Sequence, residues 1–214
     1  MKDIIDKFRS SHKDFKYLDS KFDQFSNPYD LFEIWVENAI EHKELEVNAF
    51  VLSTVGDTGQ SSSRVVYLKD IIEKEFVFYT NYNSKKSKEI SFNSKVSMLF
   101  FWPKLSRQIR IQGTCVKLDE KYSDAYFESR PRSSKIGAWA SNQSDVLKDV
   151  SELEDRIKIY QDKFKDHIPR PIHWGGYKVK PEYFEFWQGR PSRLHDRIIY
   201  TINDDSWDKH KQNP

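Results

Sequence analysis

Short strand-like runs separated by turns, with one long helical stretch among them, constrain this chain more than any other feature. AFVLSTV (49–55), SRVVYLKDI (63–71), EFVFYTN (75–81), KVSMLFFW (95–102) and RQIRIQGTCVKL (107–118) are rich in β-branched and aromatic residues. After the helical stretch come GYKVKPEYFEFWQG (176–189) and RIIYTIN (197–203). Gly56-Asp57-Thr58-Gly59 reads as a hairpin turn between the first two runs. No regular βαβ alternation is present, which argues against a doubly wound parallel sheet. Six or seven strands predict a mainly β chain with flanking helices (α+β) on an antiparallel sheet. Sheets of this length usually close into a barrel and so remove their edges.

Local patterns refine that outline. KVSMLFFW is apolar on both parities, so burial on both faces is expected. RQIRIQG alternates, with Gln108, Arg110 and Gln112 on one face and Ile109 and Ile111 on the other. Asn27-Pro28 reads as N-cap and first helical residue, and Leu31, Ile34, Trp35 and Ala39 trace one stripe of a helix over 28–43. SKKSKEISF starts a second helix. Residues 119–130 carry Tyr122 and Tyr126 one turn apart, and Pro131 ends that helix and opens another through IGAWAS. Ser151 with Glu154 reads as a capping box, ahead of a buried stripe of Leu153, Ile157, Tyr160 and Phe164. HIPRPIHWGG (167–176) is a loop by composition. Residues 1–26 form a polar arm with scattered aromatics, and 27–214 form one domain.

Composition narrows the function. Net charge is +2, from 35 basic and 33 acidic residues, which argues against nucleic-acid binding. The one cysteine, Cys115, permits no internal disulfide and reads as a small core residue. No apolar run reaches membrane length, and the charged N-terminus lacks a signal-peptide core, so a cytoplasmic chain without membrane attachment is expected. His12, His42, His167, His173, His195 and His210 show no metal-ligand spacing, so no metal site is expected. Phosphate-loop, GxGxxG, GxSxG and CxxC motifs are absent.

What remains is a set of cationic spots. RVVYLK (64–69) holds Arg64 and Lys69 on opposite parities, so one ligand reaches both only if the strand bends or ends between them. YTNYNSKKSK (79–88) ends a strand and starts a helix among lysines and hydroxyls, which suits a phosphate. YFESRPRSS (126–134) gathers two arginines at a helix joint, and Asn142-Gln143-Ser144 adds a polar patch. FWQGRPSRLHDR (186–197) packs rings, arginines, a histidine and an aspartate around a turn, fit for a flat anionic ligand. Several anion-holding positions without a nucleophile–base pair suit a bound cofactor that carries the difficult chemistry.

RVVYLK, FYTN, SKKSKEI, RQIRIQG, YFESRPRSSKIGAW, NQS and FWQGRPSRLHDR together resemble the pyridoxamine 5′-phosphate oxidase family, in its order and spacing over nearly the whole chain. The resemblance implies an antiparallel split β-barrel of FMN-binding type, working as a homodimer with FMN at the subunit interface. It implies oxidation of pyridoxamine or pyridoxine 5′-phosphate to pyridoxal 5′-phosphate, with O2 as acceptor and hydrogen peroxide released. Carried over by motif, FMN contacts fall on Arg64, Val65, Val66, Tyr67, Leu68, Lys69, Tyr79, Thr80, Lys85, Lys86, Gln108, Gln143, Ser144, Trp187 and Arg197. Substrate contacts fall on Lys69, Tyr126, Arg130, Ser134, Arg193 and His195, with Arg193 and His195 as the catalytic pair over the pyridine ring. Arg190 receives no role and is expected at the surface.

The chain departs from the family pattern at its end, where Lys211-Gln212 replaces a common Arg-Leu, and at Arg110 and Gln112, where apolar residues are more usual. Two other readings share the same residues: a split-barrel flavoprotein with another substrate, and a protein that binds pyridoxal phosphate or FMN without turnover. Arg130 to Ser134 and Arg193 to His195 count against the first.

Overall fold

The structure, a computed structural model, describes residues 24–214. The expected arm over 1–26 lies outside the described residues, save its last three. In chain order the elements are α1 (Pro28–Glu41), β1 (Ala49–Val55), β2 (Ser61–Tyr67), β3 (Asp70–Ile72), β4 (Glu75–Asn81), α2 (Lys85–Phe92), β5 (Lys95–Trp102) and β6 (Arg107–Lys117). There follow α3 (Glu120–Ser129), α4 (Arg132–Ala140), α5 (Val150–Lys163), β7 (Trp174–Gln188), β8 (Asp196–Asn203) and β9 (Ser206–Lys211). The mainly β, helix-flanked class expected is the class found. Two compact units result: one holds residues 24–47, Phe100–Arg110 and Tyr183–Pro214, the other Asn48–Leu99 and Ile111–Glu182.

The second unit holds residues of seven strands in the order β2-β1-β5-β6-β7-β4-β3. The hairpin β1/β2 pairs antiparallel from Ala49↔Tyr67 to Val55↔Ser61, closed by the expected turn. β4 pairs antiparallel with β7 from Phe76↔Val179 to Asn81↔Trp174. The core is aromatic: Phe78 meets Phe50 edge-on at 6.1 Å and stacks on Tyr177 at 5.6 Å. Gly113 permits a close strand approach, since a Cβ there would lie 2.0 Å from the Lys180 carbonyl oxygen. Cys115 is buried in this core as expected, and burial pushes its thiol well above the usual range. A second cluster of Phe127, Ile136, Ala138, Ile168 and Trp174 holds α3 and α4.

The first unit packs α1 beside the end of β7 and the hairpin β8/β9. Trp35 meets Phe186 edge-on at 5.3 Å, and Phe186 meets Tyr200 at 5.8 Å. Arg107 is fully buried here. Its Nε donates to Gln188 Oε1 (2.8 Å), Nη1 donates to Asn38 Oδ1 (3.1 Å), and the guanidinium lies 4.5 Å over the Trp35 ring. Burial, with the charge of Arg190 behind it, lowers the Arg107 pKa to about 10.

Several local expectations are corrected. β5 is buried on one face only: Val96, Met98, Phe100 and Trp102 point inward, while Phe101 is 58% exposed. Apolar residues on both parities therefore did not mean two covered faces. The run 63–71 is two strands, because the chain changes partners: Leu68 N–H donates to Asn48 O, and Lys69 N–H donates to Val77 O. α1 ends at Glu41, and Phe32 rather than Ile34 completes its buried face. The cap of α5 is Asp149, whose carboxylate accepts from Ser151 N–H at 2.8 Å, and its apolar stripe is only half-buried. β7 begins at Trp174, inside the expected loop. β9 is an added strand, joined to β8 by a turn at Asp204-Asp205.

Candidate functional site

The second unit contains a cavity of ≈ 750 Å³, within the size range of small-molecule sites. Strand β2 supplies Arg64, Val65, Val66 and Tyr67, and the end of β4 supplies Tyr79, Thr80 and Asn81. Lys85 and Lys86 enter from the first turn of α2. Tyr126, Arg130 and Ser134 come from the α3–α4 joint, and Gln143, Ser144 and Trp174 close the wall.

One end of the cavity is built around two cations in different states. Lys86 is 7% exposed, and its Nζ donates to Thr80 Oγ1 (3.0 Å), Gln143 Oε1 (3.2 Å) and Ser84 Oγ (3.3 Å). None of these acceptors is a carboxylate. Burial first, then the charge of Arg64, lowers its pKa to about 8, against a smaller opposing pull from Glu89. Arg64 is differently placed. Its Nη1 donates to Leu52 O (3.1 Å) and Thr54 Oγ1 (2.6 Å), and its Nη2 to Ser62 Oγ (2.6 Å) and Glu89 Oε2 (3.1 Å). Glu89 is buried, accepts also from Thr54 and Ser62, and pairs with Lys85. Burial opposes its ionisation, but the bonds from Lys85, Thr54 and Ser62 prevail and hold its pKa at about 2.

The other end is aromatic and holds a third cation. Tyr79 stacks on Tyr126 at 4.0 Å and on Trp174 at 5.5 Å, with planes within 13°. Burial, then the charge of Asp70, pushes the Tyr79 hydroxyl up to about 12. The Arg130 guanidinium lies 4.4 Å over the Trp174 ring. Its Nη1 is buried without a hydrogen-bond partner. A buried donor left unmet is costly, so this nitrogen suits an anion brought by a ligand.

The first unit carries the turn between β7 and β8. Gly189 N–H donates to Ser106 O (2.8 Å), a 3-10 turn spans Pro191–Arg193, and Ser192 and Arg193 adopt left-handed φ of 57° and 62°. His195 lies against Trp187, ring centroids 4.6 Å apart. Arg197 Nε donates to Glu185 Oε1 (2.8 Å), and Arg110 pairs with Glu185 Oε2 (3.3 Å). Arg193 is exposed. Arg190 is not at the surface: it is 8% exposed, and its Nε donates to Asp196 Oδ2 (2.5 Å). The nearby carboxylate makes burial of the guanidinium tolerable.

Of the expected site residues, Arg64, Val65, Val66, Tyr67, Tyr79, Thr80, Lys85, Lys86, Tyr126, Arg130, Ser134, Gln143 and Ser144 line the one cavity. Leu68 and Lys69 belong to the same unit but not to the cavity wall. Gln108, Trp187, Arg193, His195 and Arg197 belong to the other unit. Sequence reasoning missed Trp174, read as loop, and Glu89, given no role in the helix that SKKSKEISF starts. A carboxylate one helical turn after Lys85 was the available sign of Glu89.

Comparison with known proteins identifies the family. Residues 37–163 match the family model described as pyridoxamine 5′-phosphate oxidase. The chain belongs to that family. Residues 174–214 match the pyridoxine 5′-phosphate oxidase C-terminal dimerisation region. A pyridoxine/pyridoxamine 5′-phosphate oxidase of Cytophaga hutchinsonii is 50% identical over 190 residues, 88% of each chain. One from Trichormus variabilis is 48% identical over 191 residues, 88% of this chain and 89% of that one. Among solved structures, PhzG from Burkholderia lata 383, in complex with tetrahydrophenazine-1-carboxylic acid, is 28% identical with a TM-score of 0.88, covering 94% of this chain and all of that one. An FMN-binding, oxidase-related protein of Nostoc punctiforme PCC 73102 shares the fold, with a TM-score of 0.71 at 16% identity over 89% of this chain and all of that one. The fold class is therefore the family's antiparallel split barrel.

Proposed function

We propose that this chain is an FMN-dependent oxidase that converts pyridoxamine 5′-phosphate and pyridoxine 5′-phosphate to pyridoxal 5′-phosphate, with O2 as acceptor and hydrogen peroxide released. Family membership supports the activity and the cofactor. One observation in the structure carries the reading: Lys86 and Arg130, two cations with no carboxylate bonded to them, face a single cavity. The reaction brings two phosphorylated molecules together, and the cavity offers a cation for each.

The donor set fits FMN. Lys86, with Thr80, Gln143, Ser144 and the first turn of α2, would hold its phosphate. Arg64 borders the same end but is already tied to Glu89, so it shapes the site and adds charge. Val65, Val66, Tyr67 and Tyr79 would lie along the flat ring system, and Gln108, Trp187 and Arg197 are assigned to it by motif. Lys69 is assigned by motif to both ligands. Bound FMN supplies the two-electron acceptor for the hydride leaving the substrate's 4′ carbon. Arg130, with Tyr126 and Ser134, would anchor the substrate phosphate, so that the pyridine ring is held at a fixed reach from that anchor. Arg193 and His195 are assigned to the ring itself, where they orient it and supply positive charge and a hydrogen bond.

The match of residues 174–214 to a dimerisation region supports a homodimer; FMN is assigned to the interface between its subunits by the family resemblance alone. The lone buried thiol and the absence, among the described residues, of a helix long and apolar enough to cross a membrane support a cytoplasmic setting.

The test is direct. The purified protein should be yellow or take up FMN, and in air it should convert pyridoxine 5′-phosphate to pyridoxal 5′-phosphate with one peroxide per turnover. A colourless protein without affinity for FMN would overturn the reading. A yellow protein that forms no pyridoxal phosphate would instead favour another substrate, or binding without turnover.

A further inference from the structure

The turn from Gly189 to His195 holds two features that the proposed chemistry leaves unused. One is the buried Arg190 side chain, bonded to Asp196 at 2.5 Å. The other is a main-chain bond: Arg190 N–H donates to His195 Nδ1 at 3.1 Å. An amide N–H can only donate. Nδ1 must therefore be the bare, accepting nitrogen, and the proton of the neutral ring must sit on Nε2. Trp187 lies against the imidazole and restricts its rotation. Burial, then the charge of Arg193, lowers the His195 pKa, and Asp196 opposes this only in part.

The backbone around this bond needs holding. Ser192 and Arg193 both adopt left-handed φ without being glycine, an unfavourable conformation that persists only where its surroundings impose it. The bond from Arg190 to Asp196 ties a residue two positions before the strained pair to one three positions after it. It thereby fixes the loop that carries Arg193 and His195.

We propose that Arg190 is a positioning residue: clamped by Asp196, it holds His195 through its main-chain N–H in the Nε2-protonated tautomer, so that His195 offers the substrate a hydrogen-bond donor and not a base. The choice of acceptor, an oxygen or nitrogen of a substituted pyridine, rests on the function proposed for the site. The tautomer and the clamp stand on the geometry alone.

The experiment is nitrogen-15 NMR of the FMN-loaded protein with labelled histidine, the His195 signals being those lost in His195→Gln. Near neutral pH they should show a protonated Nε2 and a bare Nδ1. A protonated Nδ1, or an imidazolium, would overturn the proposal. In Arg190→Met, which keeps the apolar stem, the signals should become a mixture of tautomers, and kcat/KM should fall at least about tenfold with FMN content unchanged. Asp196→Asn should do the same, and it serves if Arg190→Met does not fold. Wild-type signals and turnover in both variants would remove Arg190 from the mechanism. The tautomer is read without turnover, so a protein with the expected signals that oxidises no pyridoxine 5′-phosphate would sink the proposed function and leave this inference standing.

Discussion

Both units gather cations, but they treat them differently. In the first, Arg197 and Arg110 share Glu185, and Arg190 holds Asp196. In the second, Lys86 is held by hydroxyls and an amide, and Arg130 by an aromatic face with one nitrogen unmet. A cation already neutralised by a carboxylate is scaffold, since a ligand must compete for it. A cation held by neutral groups at a cavity wall has its hydration removed without its charge answered, and it favours whatever anion arrives there. Arg64 shows that the rule follows the partner and not the unit: it borders the cavity, yet its bonds turn inward to Glu89, Thr54, Ser62 and the Leu52 carbonyl.

The largest effects should come from the unanswered cations. Lys86→Met should weaken FMN binding by about 2–4 kcal/mol, roughly 30- to 800-fold in Kd, read by flavin fluorescence on the apoprotein. Arg130→Met should lower kcat/KM for pyridoxine 5′-phosphate by a similar factor while FMN affinity stays within about threefold. An FMN affinity unchanged by Lys86→Met would break the distinction at once. Lys86 also predicts a pH dependence. Its pKa in the ligand-free protein is about 8, below the ordinary 10.5, so FMN affinity should fall as pH rises through about 8, and Lys86→Met should flatten that fall. Stability of the ligand-free protein moves the other way. Between about 8 and 10.5 the unfolded chain holds the proton more tightly, so this group adds stability as pH rises.

Answered cations should matter to folding first. Glu89→Gln strips the carboxylate from Arg64 and Lys85 in a buried site. It should cost about 3 kcal/mol, near the low end for a broken buried pair because Arg64 keeps three other acceptors. That corresponds to a fall of about 6–12 °C in Tm for a chain of this size. The Glu89 pKa is depressed to about 2 from 4.5, so its contribution is complete above about 4.5 and is lost as pH falls towards 2. Acid titration of the variant should lack that loss.

What was legible in the sequence follows the same divide. Strands β1, β4 and β6 and helices α3 and α4 could be read because their patterns are local: alternation, a proline break, a hairpin turn. The cavity cations could be found because Lys86 and Arg130 sit in distinctive strings. Pairing was not legible, because it is not local. Glu89 reaches Arg64 from 25 residues away, and in isolation KSKEI looks solvated. Arg190 was expected at the surface because nothing in GRPSR says that the loop folds back on Asp196. Strand β9 escaped because SWDKHK is polar and gains its place only from its register with β8, Ile202 opposite Trp207. Phe101 was assigned to the core because hydrophobicity alone does not say that a strand has one open face.

The smallest effect tests whether burial, and not pairing as such, separates scaffold from decoration. Lys95 Nζ contacts both carboxylate oxygens of Glu182, at 2.7 and 2.8 Å. The pairing resembles that of Arg64 with Glu89, with shorter contacts, but the two side chains are 62% and 39% exposed. Water already solvates both charges, and Glu182 also accepts from Thr114 Oγ1 at 2.6 Å. Lys95→Ala should therefore cost less than about 1 kcal/mol, within about 2–4 °C in Tm, and salt should shrink even that. The two variants belong in one melting series at low and high ionic strength. If Lys95→Ala costs as much as Glu89→Gln, short contact distance governs these pairs and the buried setting of Glu89 explains nothing. If it costs little and fades with salt while the Glu89 effect persists, desolvation is what converts an ion pair into structure.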